Sequence, residues 1–206
     1  MTAGPLRRHT FVVYVEDKPG VLNRVASLFR RRAFNIESLT VGHSETPEAS
    51  RMTIVVRTDA IGARRLEANL YKLVNVVRVQ DITVGPAVFR ELAMVKVTAT
   101  AETRTHVMQL VDVFRARVVD VAPDAVVIET TGTEDKIDGF VEVLRPYGIL
   151  ELVRTGRVGM MRGARSVMID PDPTEPFAPD PREDDGRSDD ADEPGEGDDP
   201  NISYSV

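Results

Sequence analysis

The sequence predicts an α+β protein built from two ferredoxin-like βαββαβ domains and an acidic tail. Three observations carry this. Between residues 9 and 84, runs with strand and helix periodicity follow in the order strand, helix, strand, strand, helix, strand. The same order recurs between residues 92 and 165, although the halves share little sequence. Beyond Asp170 the periodicity stops: residues 170 to 206 hold ten Asp and four Glu against two bases, Arg182 and Arg187, a charge of −12. Such a segment buries too little apolar surface to offset the ordering of its backbone, so disorder is expected there.

Each element follows from local chemistry. Residues 10 to 15 alternate, with Phe11, Val13 and Val15 on one face and Thr10, Val12 and Tyr14 on the other, as in a sheet strand. From Gly20 to Arg32 the apolar positions Val21, Leu22, Val25, Ala26, Leu28 and Phe29 line one helical face. Arg30, Arg31 and Arg32 close that helix, where positive charge complements the dipole. After Asn35, "IESLTVG" and then "SRMTIVVR" read as two strands of a hairpin joined by a polar loop containing Pro47. Ile61, Leu66, Leu70 and Leu73 mark a second helix over 60 to 73, and "VVRVQDITV" closes the unit.

Gly85-Pro86 opens a linker, residues 85 to 91. "LAMVKVTAT" is then a strand, and Val107, Met108, Leu110, Val111 and Phe114 mark a helix. "VVDV" and "AVVIETT" flank a turn at Pro123-Asp124, Ile137, Phe140, Val141 and Leu144 mark the last helix, and "ILELV" ends the domain.

Composition excludes several classes of function. With no cysteine, thiolate metal sites, disulfides and cysteine nucleophiles are all absent. The first residues, MTAGPLRRH, form no targeting segment, and no run approaches the roughly 20 apolar residues of a membrane span, so a soluble cytoplasmic protein is expected. Residues 1 to 169 carry 24 bases against 19 acids, an excess of five that is scattered along the sequence. RNA-recognition modules share the βαββαβ order but read bases with aromatics on the central strands. Here those strands carry Val, Ile, Thr and Met, and aromatics are 5% of the chain, so no nucleic-acid partner is expected.

No catalytic constellation is legible. His9, His43 and His106 stand at a strand start, a loop and a helix, without a second His or a carboxylate at ligand spacing. Phosphate loops, dinucleotide fingerprints and nucleophile elbows are missing, and the adjacent acids Glu16-Asp17 and Glu134-Asp135 sit at element ends, where capping explains them.

The junction "VEDKPGVLNRVASLFRRRAFNIESLTV" has binding chemistry. A helix N-terminus offers unpaired N–H groups to a carboxylate, and Gly20 has no Cβ to hold a ligand off them. Asp17 can cap that helix or face an ammonium group, and the Asn35 amide offers both a donor and an acceptor. These groups suit a free amino acid, although from the residues alone a capped helix with a polar turn is the leading explanation.

The same stretch, with "SRMTIVV" after it, resembles the ACT domain of the small, regulatory subunit of acetolactate synthase (acetohydroxyacid synthase). "RELAMVKV" and "FRARVVDVAPDAVVIETTGTEDKIDGFVEVLRPYGILELVRTG" look like the C-terminal domain of that family. The resemblance implies a non-catalytic protein that dimerises through its ACT domains, binds a branched-chain amino acid at the dimer interface and activates a separate catalytic subunit. It implies that thiamine diphosphate, Mg2+ and FAD belong to that catalytic subunit, which condenses pyruvate with pyruvate or 2-oxobutyrate, and not to this chain. The family's effector site maps onto Asp17, Gly20, Val21, Leu22, Asn35 and Ile36, with Asp17 standing where many relatives have Asn. The segment from Arg154 to Gly163, "RTGRVGMMRG", is a candidate contact with the catalytic subunit, although packing explains Met160 and Met161 as well. A stand-alone amino-acid sensor and an RNA-binding module are the competing readings.

Overall fold

The computed structural model describes residues 4 to 163, which lie within one compact unit. The acidic tail, and the last two residues of the expected second domain, lie outside the described residues. Two lobes of the same topology follow one another, and both are α+β.

In the first lobe, β1 (Arg7–Glu16), α1 (Val21–Arg31), β2 (Ile36–His43), β3 (Ala49–Thr58), α2 (Ala60–Leu70) and β4 (Val76–Asp81) follow the expected order. The sheet order is β2-β3-β1-β4, with every neighbouring pair antiparallel. Phe11, Val13 and Val15 of β1 meet Val25, Leu28 and Phe29 of α1 and Leu66 and Leu70 of α2 in one buried cluster, which puts both helices on the same face. Each large side chain buried there stabilises the lobe by about 1.5–3 kcal/mol relative to exposure.

The second lobe comprises β5 (Ala87–Thr98), α3 (Arg104–Val113), β6 (Arg117–Val121), β7 (Ala125–Gly132), α4 (Glu134–Leu144) and β8 (Ile149–Arg154). Its sheet order β6-β7-β5-β8 repeats that of the first lobe, and its core gathers Val95 and Val97 with Val107, Val111, Phe140 and Leu144.

The expected linker, residues 85 to 91, is strand from Ala87 onward. Those residues pair with a further strand, β9 (Val158–Met161), in the register Ala87 to Met161 through Arg90 to Val158. No local pattern announces this, because the paired residues lie 68 to 74 positions apart. The β5–β9 ribbon lays Ala87, Phe89 and Met161 on Val12, Tyr14 and Ile82. It therefore covers the face of the first sheet opposite the helices, and β5 serves both lobes.

Candidate functional site

The β1–α1 junction is a type II turn. Val21 N–H donates to the Lys18 carbonyl at 3.3 Å, Pro19 takes the second position, and Gly20 has φ 83 and ψ −5. That left-handed φ is why glycine stands there. Gly20 is also the N-cap of α1, and no side chain caps the helix. Arg24 N–H reaches the Gly20 carbonyl at 3.1 Å, so the amides of Leu22 and Asn23 remain as the orphan donors of the first turn. A Cβ on Gly20 would meet nothing within 4 Å, so the approach to those amides is open.

Asp17 is not a cap. The turn intervenes, carrying it three residues upstream of the N-cap, and its N–H donates to the Glu48 carbonyl at 2.7 Å. Its carboxylate lies 3.1 Å from His43 Nδ1, and His43 ends β2 instead of lying in a loop. Pro19 likewise precedes the helix. Two residues at this end, Asn75 and Arg24, were not singled out from sequence. Asn75 donates to Glu16 Oε2 at 2.5 Å and accepts from Arg24 Nη1 at 2.6 Å. The hydrogen bond from Asn75, and then the one from Lys18, holds the Glu16 carboxyl below its ordinary range. Asn75 lies 59 residues from Glu16, so only the β1–β4 pairing reveals the group.

The six mapped residues divide into two sets. Asp17, Gly20, Val21 and Leu22 share the C-terminal end of β1, whereas Asn35 and Ile36 lie at the opposite end of the sheet. Ile36 pairs with Val56, and Val56 with His9, so Ile36 stands level with the start of β1. Seven strand residues separate that level from Glu16, roughly 20 Å at 3.3 Å per residue. The cause is the crossover: β2 returns parallel to β1 and begins where β1 begins. Within one chain these residues form no single pocket. Val21 is 4% exposed and committed to the core, Leu22 is 44% exposed, and Ile36 is partly buried against the core cluster.

The strand β2 is the outer edge of its sheet, and its two faces have different surroundings. Ile36 and Leu39 pack on the helix-side core. On the other face, Ser38 Oγ accepts from Arg157 N–H at 3.2 Å and Thr40 Oγ1 donates to the Thr155 carbonyl at 3.3 Å. Glu37 accepts from Arg8 Nε at 2.7 Å, Arg8 Nη1 donates to Glu134 at 2.6 Å, and Arg157 Nη2 reaches the other Glu134 oxygen at 2.8 Å. The Glu134 charge is the main reason Arg8 holds its proton more tightly than usual. A cavity of about 440 Å³ lies among these groups, between Leu39 and Val55 of the first lobe and Glu91 and Arg154 of the second.

His9 is buried, with Nδ1 2.7 Å from Asp81, a carboxylate 72 residues away that sequence spacing could not pair with it. Among the described residues no three His, Asp or Glu side chains converge as a metal site, and no helix is long and apolar enough to cross a membrane. The two methionines of the candidate contact segment part company: Met161 packs against Val12, Tyr14 and Ile82, while Met160 is 66% exposed.

Residues 90–163 match the family described as the small subunit of acetolactate synthase, and residues 11–78 match the AHAS small subunit-like ACT domain. The chain is 50% identical over 160 residues to the probable acetolactate synthase small subunit of Methanothermobacter thermautotrophicus, covering 77% of this chain and 95% of that protein. With the acetolactate synthase small subunit of Mycolicibacterium smegmatis it shares 47% identity over 159 residues, 77% of this chain and 94% of that one. The crystal structure of the acetolactate synthase small subunit from Thermotoga maritima is similar at a TM-score of 0.72 and 41% identity, over 76% of this chain and 98% of that chain.

Proposed function

The chain belongs to the family of acetolactate synthase small subunits, and from that premise we propose that it activates the catalytic subunit and makes it sensitive to a branched-chain amino acid. The effector is valine, or leucine or isoleucine at the same seat. Thiamine diphosphate, Mg2+ and FAD belong to the catalytic subunit in this reading.

The observation that carries it is the division of the junction residues between the two ends of a free edge strand. Two copies pairing antiparallel through β2 would set the start of one β2 beside the end of the other. Asn35 and Ile36 of one copy then complete the seat begun by Asp17 and Gly20 of its partner, twice per dimer. The pairing also satisfies the open backbone groups of the edge. In that seat the Leu22 and Asn23 amides take the effector carboxylate, Asp17 faces its ammonium group, and Leu22 with Ile36 offers apolar contact to its side chain. An effector that binds the less activating arrangement more tightly shifts the complex toward it by the difference in affinity, typically about 1–3 kcal/mol.

The test is reconstitution. The purified chain added to the isolated catalytic subunit is expected to stimulate acetolactate formation, and valine to reverse the stimulation. Absence of both effects would contradict the proposal and leave the stand-alone sensor and the RNA-binding module in its place.

A further inference from the structure

The residues next to the Asn35–Ile36 half of the seat are those that hold the second lobe. Ser38 takes the Arg157 N–H, Thr40 reaches the Thr155 carbonyl, and Glu37 begins a chain of ion pairs through Arg8 and Glu134 to Arg157. Gly156, with φ 79, presses so closely on Ser38 that a Cβ there would run into the serine side chain. These contacts are polar and half exposed, and they border the cavity of about 440 Å³. On the same sheet face, by contrast, the lobes meet through the apolar packing of Phe89 and Met161 on Val12, Tyr14 and Ile82. Close-packed apolar contact resists sliding, whereas hydrogen bonds across an open cavity can exchange partners. One side of the lobe junction is thus fixed and the other adjustable, and the adjustable side is seated on the strand that begins with Ile36.

We infer that β2 is the element through which effector occupancy is read by the second lobe, with Ser38 as the positioning residue that joins it to the segment Thr155 to Arg157. This rests on the effector reading above and names the regulation of that site. An effector held by Asn35 and Ile36 fixes the start of β2, and Ser38, two residues on, sets the 155 to 157 backbone accordingly. Through Arg157 and Glu134 the same displacement reaches the first turn of α4. Ser38 touches no effector in this scheme.

The Ser38→Ala variant separates binding from response. In the full chain it is expected to bind valine by calorimetry within about twofold of wild type and to stimulate the catalytic subunit normally. Valine inhibition should fall by about fivefold or more, at the low end of measured coupling factors. Hydrogen exchange supplies a readout without the catalytic subunit: valine should alter exchange at the amides of 155 to 157 in wild type and not in Ser38→Ala. Arg8→Gln, which cuts the ion-pair route and leaves Ser38 in place, should weaken inhibition in the same direction. Inhibition of Ser38→Ala equal to wild type overturns the inference, as does loss of valine binding together with inhibition. A wild-type chain that binds no branched-chain amino acid overturns the effector reading itself, and the coupling with it.

Discussion

Glu67 shows at single-residue scale how this chain holds charge against its core. Burial first, and the Asp81 charge second, push its carboxyl above the ordinary range. The folded chain therefore holds that proton more tightly than the unfolded chain does. The contribution of this group to folding is greatest at acid pH and is lost as pH rises through the raised pKa. Replacing Glu67 with Gln should stabilise the protein near pH 7, within about 1 kcal/mol or 2–4 °C in Tm, and the advantage should vanish below the carboxylate range. Thermal melts of both proteins across pH check this; a variant that melts lower at pH 7 would contradict it. Residue identity was readable in the sequence where the physics is local. Gly20 follows from the turn it makes, but the partners of Asp17, His9 and Glu16 do not. His43, Asp81 and Asn75 lie 26, 72 and 59 positions away, and only strand pairing brings them in.

At the scale of the element, α1 and α3 end by the same device. After α1, Phe34 N–H bonds the Phe29 carbonyl at 3.0 Å and Ala33 N–H the Arg30 carbonyl at 3.1 Å. Ala33 has φ 56, and the Phe29 and Phe34 rings meet edge-on at 6.5 Å, completing a Schellman cap with its hydrophobic contact. After α3, Ala116 bonds Val111 at 2.8 Å, Arg115 bonds Asp112 at 3.0 Å, and Arg115 has φ 50. Both helices thus place a residue with a Cβ where glycine is favoured. Ala33→Gly removes a left-handed strain of about 1–2 kcal/mol and gives back part of it as unfolded-chain entropy. A net gain of about 0.5–1 kcal/mol is expected in denaturant titration, and a loss would contradict the cap geometry. The order of the elements was legible because periods of 2 and 3.6 are local signals. Neither β9 nor the first four residues of β5 were, since Ala87 to Arg90 find their strand partner in β9. The residues 85 to 91 accordingly looked like a linker, with Gly85-Pro86 as its punctuation.

At the scale of the whole molecule, topology decides what one chain can and cannot bind. The sequence places Asp17, Gly20, Asn35 and Ile36 at element junctions, and that much holds. Which end of the sheet each junction occupies follows from the direction of β2, and a linear reading that gathers them at one joint misses it. Roughly 20 Å separates the two sets, too far for a free amino acid to span. The proposed seat therefore needs a second copy, and complementation between two defective chains tests this most directly. Gly20→Asp puts a like charge where the effector carboxylate would sit, and Asn35→Ala removes the opposite half. Each variant alone is expected to activate the catalytic subunit and to bind no valine. Refolded together in equal amounts, half the dimers are mixed, and each mixed dimer regains one intact seat. Calorimetry on the mixture should then recover about a quarter of the wild-type valine sites. A mixture that binds no more valine than the single variants would contradict a seat shared between two copies.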